Sequence, residues 1–369
     1  MKMIYIVLSL LAGAFLAFLI ISAILEYRPA PQERAIHYPA LRPSADNNIP
    51  QRLKIMTWNI GYAGLGDNMS FFMDGGKDVR DTKERTETNL RNIIETIRTQ
   101  NPDILLLQEV DVNSHRTYHT NEVQRLQEEF PEYHIYFAPN LKSWFIPTPV
   151  KEPIGEAHSG VVIMTRFEAD SAIRHQYPAR HPWPARMFHL KKCLLETDFT
   201  LPDGRKLIVG NTHCSAYDDG TMRIQEIRHI NHLLNAQKGC SFIIGGDWNQ
   251  YPKGYTPSDK ELNDKNFIVQ PLPSDELEKI GKFTYDPSLH TARYIDKPYD
   301  KESSTKTLID YFFHSEDISI DEINTQDLEF RYSDHNPVTA TITFHTQGEG
   351  KAPCVEDRRV WYPYLSHIP

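Results

Sequence analysis

Cysteine is scarce in this sequence, with four cysteines among 369 residues. Cys193, Cys214, Cys240 and Cys354 are widely spaced and include no CxxC pair, so they match neither a zinc site nor a dense disulfide framework. A chain of this length can bury a large core without such crosslinks. We therefore expect the cysteines to be buried apolar residues, of which one pair could form a bridge if the domain is exported.

An excess of positive charge is also missing. The formal net charge is -9 and the isoelectric point is near 6.0. This balance argues against a protein that holds nucleic acid over a broad basic face. It leaves open a small site at which a cation assists phosphate binding. The sequence also contains no internal repeat, which excludes a repeat architecture.

A long uncharged apolar run stands near the start of the chain. Residues 4–25 form a run of 22 residues without charge, which is long enough to cross a bilayer as a helix. We interpret this run as an uncleaved anchor. A cleaved signal peptide is the alternative, but the run exceeds a usual signal core and no small-x-small cleavage site follows it. Lys2 gives a slight bias toward a cytoplasmic amino terminus, so we expect a single-pass membrane protein with an extracytoplasmic domain.

Three further segments follow from composition. Residues 26–50 contain five prolines among charged and small residues, which is typical of a semi-extended tether. Residues 51–345 form the expected catalytic domain, and residues 346–369 form a short carboxyl-terminal tail without an assigned role. Residues 140–159 combine three prolines with Trp144 and Phe145, which indicates an irregular loop, either a substrate lid or an Ω-loop.

Strands and helices alternate through the domain and predict a mixed α/β fold. Helical periodicity is found over residues 81–100, 121–130 and 221–235, whereas buried strands are expected over 53–58, 104–107 and the apolar run that begins at Ser241. Several strands end in a polar group, and this is where α/β sheets usually present ligands. These residues are Asn59, Glu109, His213, Asp247 and Asn249, and the set also includes Asp310 within its strand and the pair Asp334 and His335.

Each of these polar residues has a plain structural explanation when it is taken alone. Asp247 and Asn249 are common turn residues, a single histidine at a strand end is usually a hydrogen-bonded structural group, and Glu109 could be a surface carboxylate. Coincidence across six segments is harder to accept. Together they favour a functional site.

The motifs as a set resemble the endonuclease/exonuclease/phosphatase superfamily, which includes deoxyribonuclease I, neutral sphingomyelinases and deadenylases. The resemblance covers residues 51–345 and specifies the superfamily rather than a substrate. It is carried by TWNI at 57–60, LLLQEVD at 105–111, SGVVIMTR at 159–166, NTH at 211–213, GGDWN at 245–249, IDYFF at 309–313 and SDHNPV at 333–338.

The resemblance implies a deoxyribonuclease I-like fold, a four-layer α/β/β/α sandwich of two facing mixed sheets. It also implies a divalent cation, magnesium with manganese as the alternative, held by Glu109, and hard cations do prefer carboxylate oxygen. Asp334 would be a second cation contact or would orient water. Asn59 and Asn249 would hydrogen-bond the substrate phosphate without adding negative charge.

The same resemblance implies which residues would take part in proton transfer. His335, oriented by Asp310, is similar to the general base that takes a proton from the attacking water, and Asp247 would position that water. His213 is similar to a histidine that stabilises the phosphorane or protonates the leaving oxygen. Deoxyribonuclease I supports this histidine with a glutamate, but here the corresponding stretch reads His-Ser-Gly at 158–160 and Glu156 lies out of register.

Several functions remain open from the sequence. A membrane-anchored, magnesium-dependent phosphohydrolase that cleaves a phosphodiester by in-line attack of water is the leading hypothesis, with a lipid headgroup or a nucleic acid as substrate. The anchor, the acidic composition and the aromatic segment 140–159 favour the lipid. An endonuclease or exonuclease, a phosphatase of a soluble phosphoester, and a catalytically silent binding module on a membrane tether are the alternatives. No obligate protein partner is evident.

Overall fold

The computed structural model describes residues 1–216, 219–264, 269–345 and 354. Two seven-stranded mixed sheets face each other and form the body of the domain. The predicted tail, residues 346–369, lies outside the described residues except for Cys354.

The first sheet, in spatial order, contains β1 (Gln32–Arg34), β7 (Ser171–Gln176), β8 (Cys193–Thr200), β9 (Lys206–His213), β10 (Ser241–Asp247), β16 (Asp310–His314) and β13 (Lys282–Thr284). The second sheet contains β17 (Ile318–Thr325), β18 (Val338–Phe344), β3 (Arg52–Asn59), β4 (Ile104–Asp111), β6 (Gly155–Thr165), β5 (His134–Ile146) and β2 (Ile36–Tyr38). Two short pairs join β11 (Gln250–Tyr251) to β12 (Gln270–Pro271) and β14 (Ala292–Arg293) to β15 (Lys306–Thr307). The helices are α1 (Lys2–Ile24), α2 (Lys83–Gln100), α3 (Glu122–Glu129), α4 (Thr221–Ala236) and α5 (Asp259–Asn263).

The unbroken apolar runs are explained by burial of the sheets on both faces. Side chains alternate across a strand, so in β4 Leu106 enters the core between the sheets while Leu105 and Leu107 face the opposite side. That opposite core is shared with α2 and α3, and the outer face of the first sheet packs in the same way against α4. The four-layer α/β/β/α sandwich expected from the sequence is therefore confirmed.

Local signals explain where the outer helices begin. Thr82 caps α2 by accepting a hydrogen bond from the Arg85 backbone N–H, and Asn121 caps α3 in the same way through Gln124. Residues Leu90, Ile93, Ile94 and Ile97 line the buried face of α2. The helical period in the sequence thus gave the right elements to within two residues at their starts.

The segment after the apolar helix is docked on the domain and does not extend freely. Strand β1 pairs with β7, and β2 pairs with β5, so residues 32–38 lie along the edges of both sheets. The expectation of a semi-extended tether was wrong for this stretch. Pro31 and Pro39 flank the stretch, and its edge pairing depends on partners more than 90 residues away in the sequence.

Residues 140–159 are mostly strand, so the expectation of an irregular loop, including the Ω-loop, was wrong, whereas the substrate lid stays a prediction. Strands β5 and β6 continue to Ile146 and from Gly155, and only residues 147–154 connect them. Register shifts between Pro139 and Leu141 and between Ser143 and Ile146 interrupt the alternation of side chains, which is why the sequence looked irregular. We refer to residues 140–159 below as the aromatic hairpin.

Helix α1 has the length and composition that a membrane span requires, as a signal sequence near an amino terminus also can. Its last turns contact the domain. Phe18 stacks on Phe188 with ring centroids 5.8 Å apart and also packs against Trp144 and Phe145 of the aromatic hairpin. The Trp144 indole N–H donates a hydrogen bond to Ser22 Oγ at 3.3 Å.

The four cysteines divide into two classes. Cys193 and Cys214 are free and buried, as expected for small apolar residues. Cys240 and Cys354 form a disulfide across 114 residues, which ties the stretch that precedes β10 to the carboxyl-terminal region. The sequence allowed a bridge without identifying the pair.

Candidate active site

The polar residues at the ends of the strands lie together at one edge of the sandwich. Strands β3 and β4 are parallel in one sheet, and β9 and β10 are parallel in the other, so their carboxyl ends bring Asn59, Glu109, His213 and Asp247 to the same edge. Asp310 is the direct cross-strand neighbour of Asp247. We call this edge the catalytic edge. Asn249, Asp334 and His335 also lie here, so all eight predicted residues are brought together.

Glu109 reaches the site because β4 bulges. The pairing of β4 with β6 shifts register between Leu107 and Val110, and Glu109 adopts a left-handed backbone with φ of 54°. Bulges of this kind turn a side chain away from the regular pleat. The Glu109 side chain remains 24% exposed, whereas its neighbours in the strand are buried.

Two glycines allow β10 to bring Asp247 into the centre of the site. A Cβ at Gly246, where φ is 148°, would lie 1.9 Å from the Thr212 carbonyl oxygen of β9. A Cβ at Gly245 would lie 2.8 Å from Leu106 of the facing sheet. Only glycine permits these approaches. Asp247 is then 1% exposed, and its Oδ1 accepts the Asn249 backbone N–H at 2.9 Å.

Asn59 links the carboxylates of the two sheets. Its Nδ2 donates to Glu109 Oε1 and to Asp247 Oδ2, both at 3.1 Å, while its Oδ1 accepts the Gly61 N–H. Asn249 lies beside it, with Nδ2 donating to the Cys214 carbonyl at 2.9 Å. Both N–H groups of the Asn59 amide are therefore engaged by carboxylates, and Asn249 directs an amide N–H to a carbonyl.

His335 and Asp310 form a buried pair. The Nδ1–H of His335 donates to Asp310 Oδ2 at 2.8 Å, and its Nε2 lies 3.8 Å from carboxylate oxygens of both Asp247 and Asp334. The Trp58 indole N–H donates to the His335 carbonyl at 2.9 Å and fixes the segment. Burial alone would lower the pKa of His335, but the three carboxylates raise it well above the ordinary histidine value.

His213 is oriented differently from His335. Its Nε2 lies 3.5 Å from Asp247 Oδ2 and 3.9 Å from Glu109 Oε1. Its Nδ1 is buried and has no hydrogen-bond partner among the described residues. Glu156 instead accepts a hydrogen bond from Asn113, so it does not take the place of the expected supporting carboxylate. Burial, together with the charges of Lys192 and His335, lowers the pKa of His213 well below its ordinary value.

Lys192 is a site residue that sequence reasoning missed. It lies immediately before β8, whose first residues pair with the end of β9, and its Nζ donates to the Cys214 carbonyl at 2.9 Å. This is the carbonyl that Asn249 also contacts. Burial lowers the pKa of Lys192, while Asp247 and Glu109 act in the opposite direction. The sequence signal was a lysine at the start of a buried strand, but only strand pairing places it beside His213.

The site carries more carboxylate than the nearby cations balance, and this donor set fits a divalent metal ion. Burial raises the pKa of Asp334 to about 7, and Glu109 and Asp74 add to the effect, against the opposing charges of His335 and Arg293. Glu109 accepts one hydrogen bond among the described residues and is partly exposed, so its carboxylate remains open to a ligand. Magnesium and manganese prefer such oxygen donors.

A second donor group lies deeper in the site. Possible ligand atoms of Asp247, Asp310 and His335 lie within 4.8 Å of one another, and all three residues are buried. His335 and Asp310 are also joined by a close hydrogen bond between Nδ1 and Oδ2. This contact is compatible with an acid–base role for the pair.

Known proteins resemble the chain in sequence motifs and in fold. The Endonuclease/Exonuclease/phosphatase family model matches residues 56–335. A family protein from Beutenbergia cavernae DSM 12333 has 19% identity and a TM-score of 0.58, over 80% of this chain and 72% of that chain. A family protein from Leptotrichia buccalis C-1013-b has 16% identity and a TM-score of 0.52, over 79% of this chain and 100% of that chain. The D. rerio TDP2 humanized by 14 mutations has 15% identity and a TM-score of 0.50, over 80% of this chain and 100% of that chain.

No curated protein matches the sequence. At these identities the similar structures establish the fold alone. The family match is broader, because it spans most of the chain and includes the strand-end residues from Asn59 to His335.

Proposed function

The chain belongs to the endonuclease/exonuclease/phosphatase family of hydrolases, and from this membership we propose that it is a membrane-anchored phosphodiesterase that cleaves a lipid phosphodiester by in-line attack of water. The active site opens at the catalytic edge. The observation that carries the lipid assignment is the position of that edge relative to helix α1.

The elements that pack on α1 project from the catalytic edge. The aromatic hairpin extends past the carboxyl end of β4, and the loop between β7 and β8 starts beside the carboxyl end of β9. Trp144 and Phe145 of the hairpin and Phe188 of the loop contact Phe18. Phe18 lies about 9 Å from the end of the helix at 1.5 Å per residue, so the side chains that contact it would be held close to the bilayer if α1 spans it. If α1 spans the bilayer, the active site faces the lipid headgroups.

The orientation outside the cytoplasm is part of the proposal. The disulfide between Cys240 and Cys354 supports it, because such bonds persist mainly in oxidising compartments. Lys2 and the amino terminus on the other side of α1 agree with the positive-inside rule.

The proposed chemistry uses the residues of the catalytic edge. Asn249, and Asn59 on exchange of one of its two bonds to carboxylates, would donate N–H groups to the phosphate, and Lys192 would provide a buried positive charge beside them. His335 in its neutral form would accept a proton at Nε2 from the attacking water, and Asp310 would stabilise the resulting imidazolium through Nδ1. A divalent cation at Glu109 and Asp334 would offset the carboxylate charge that raises the pKa of His335 and would so favour the neutral form. Asp247 holds the water for in-line attack. His213, whose Nδ1 has no carboxylate partner among the described residues, would hydrogen-bond the phosphoryl oxygens.

The metal ion would be held by Glu109 and Asp334, and we propose magnesium, with manganese as the alternative. When bound, it would neutralise charge on the phosphate in the transition state. The protein side chains perform the proton transfers and the positioning described above.

The substrate class can be tested with the full-length chain in nanodiscs. Sphingomyelin or phosphatidylglycerol in the disc, single-stranded DNA, RNA and bis-p-nitrophenyl phosphate are offered separately with magnesium or with EDTA, and Glu109→Gln serves as the inactive control. We expect magnesium-dependent release of the lipid headgroup. Hydrolysis of DNA or RNA without lipid cleavage would make the protein a nuclease, and no hydrolysis of any substrate would favour the binding module.

A further inference from the structure

A cavity of about 160 Å³ lies where the end of α1 meets the loop between β7 and β8. It is separate from the residues that gather at the catalytic centre. Its charged lining residues are Glu26, Arg28, Arg180, Arg186 and Lys191, and His181 and His189 also line it. The lining is strongly basic, although the whole chain has a net charge of -9.

A single buried carboxylate forms ion pairs with three cations in this cavity. The Glu26 side chain is 3% exposed and lies 3.0 Å from Arg28, 3.2 Å from Arg186 and 3.6 Å from Lys191. Arg180 also lines the cavity and forms no ion pair with an acidic side chain among the described residues. With both histidines neutral, the lining therefore has an excess of three positive charges, and a bound anion would reduce their mutual repulsion.

The cavity lies at the level of the proposed membrane interface. Phe188, in the same loop, stacks on Phe18 of α1, and Trp183 of this loop is 57% exposed. Glu26 and Arg28 follow directly after the last turn of α1. A ligand that reaches this position from the bilayer would present its headgroup to the arginines while its acyl chains stay beside the helix.

We propose that this cavity binds the phosphate of an anionic phospholipid headgroup. Arginine recognises phosphate oxygens through paired N–H donors, and basic residues next to a membrane helix attract anionic lipids. The volume suits a phosphate group with part of its headgroup. Free phosphate offers the same chemistry, but the position beside α1 favours the lipid. The inference rests on the proposed membrane anchor and not on the proposed substrate.

A bound lipid at this cavity would hold the catalytic edge against the bilayer. Lys191 lines the cavity, and the next residue, Lys192, reaches the active site. A headgroup in the cavity would therefore fix the start of β8. Lipid binding at the cavity would thus keep the active site at the bilayer surface, from which the proposed lipid substrate comes.

The test uses the full-length chain in mild detergent with dioctanoyl phosphatidylglycerol, dioctanoyl phosphatidylcholine and inorganic phosphate as probes, each titrated by native mass spectrometry. The variant Arg180→Gln/Arg186→Gln removes two cations from the cavity. The matched control Lys142→Gln/Lys151→Gln removes two exposed cations from the aromatic hairpin, outside the cavity. Near-ultraviolet circular dichroism verifies folding. Arg180→Gln alone leaves the Glu26 ion pairs intact and serves if the double variant does not fold.

We expect one phosphatidylglycerol to bind the wild-type chain, with phosphatidylcholine and inorganic phosphate binding much more weakly. The cavity variant should weaken phosphatidylglycerol binding by about tenfold or more, and the control by less than about twofold. Equal losses in both variants would indicate general surface electrostatics and overturn the proposal. Phosphate that binds as tightly as the lipid would overturn the lipid assignment. Lipid hydrolysis measured in parallel separates failure here from failure of the proposed activity.

Discussion

The Nδ1 atom of His335 lies 2.8 Å from Asp310 Oδ2, although the two residues are 25 positions apart in the sequence. Both side chains are almost completely buried. Asp310 opens β16 as the cross-strand neighbour of Asp247, and His335 precedes β18, so strands from both sheets meet in this pair. Because of this contact, we expect the two residues to act as one chemical unit.

We predict that the losses caused by removing His335 and Asp310 do not add. His335→Ala should lower kcat/KM for bis-p-nitrophenyl phosphate by at least ~10²-fold, the usual contribution of a general base. Asp310→Ala should also lower it, and the double variant should be barely worse than His335→Ala, because an orienting carboxylate has no role once its base is gone. Rate losses that multiply in the double variant would show that the two residues act independently.

The metal assignment predicts a specific effect of Glu109→Gln. The amide is nearly the same size but lacks the charge that holds a divalent cation, so magnesium-dependent turnover should be abolished and manganese binding measured by electron paramagnetic resonance should weaken. Glu156→Gln is the matched control, because Glu156 is an exposed carboxylate near the same end of the second sheet. Wild-type activity of Glu109→Gln at saturating magnesium would exclude Glu109 as a metal ligand.

The proposed orientation predicts the oxidation state of the cysteines. Cys240 and Cys354 are bonded, whereas Cys193 and Cys214 are free and buried. The full-length chain, taken from cells into denaturant with a maleimide, should gain two labels without reductant and four after reduction. Cys240→Ser/Cys354→Ser should gain two labels in either case. Four labels on the unreduced wild-type chain would place the domain in a reducing compartment.

His229 is largely buried, and its lowered pKa leads us to predict that the stability of the chain depends on pH. Burial beside His175 and His232 lowers the pKa of His229 to about 3, from an ordinary value of 6.5. Between these values the unfolded chain binds a proton that the folded chain does not, so stability decreases as the pH falls below 6.5. From pH 6.5 to pH 5 this group should cost about 2 kcal/mol in the free energy of unfolding.

Chemical denaturation of the full-length chain in detergent can measure this slope. His229→Gln should lose less stability than the wild type over the same pH range, because it has no group to protonate. His345→Gln removes an exposed histidine and should keep the wild-type slope. Identical slopes for wild type and His229→Gln would show that His229 is protonated equally in the folded and unfolded chain.

Strand ends were the part of this molecule that the sequence could predict. The run that ends in Asp247, and the run that ends in Glu109, are buried on both faces, and such runs are recognisable from local composition. Parallel pairing then brings their ends together. Roles for these residues came only from the resemblance of the motifs to a family.

Features that depend on distant partners could not be predicted. Strand β7 and the edge strands β1 and β2 carry little periodicity of their own and exist because a sheet edge accepts them. Bulges in the aromatic hairpin concealed its strands. The packing of Phe18 on Phe188, and the place of Lys192, arise from elements that are not neighbours in the chain.

Lys192 yields the last prediction, because its charge lies beside the groups that would face the phosphate. Its Nζ and the Asn249 amide donate to the same carbonyl, that of Cys214, so both are fixed next to the end of β9. Lys192→Met keeps an unbranched stem but removes the charge, so packing changes little. We expect kcat for bis-p-nitrophenyl phosphate to fall by about 10²-fold, since a fixed charge stabilises the transition state more than the ground state. Lys206→Met is the control, because Lys206 begins β9 at the opposite edge and pairs with Asp170. A rise in KM at constant kcat would assign Lys192 to substrate binding alone, and unchanged kinetics would remove it from the site.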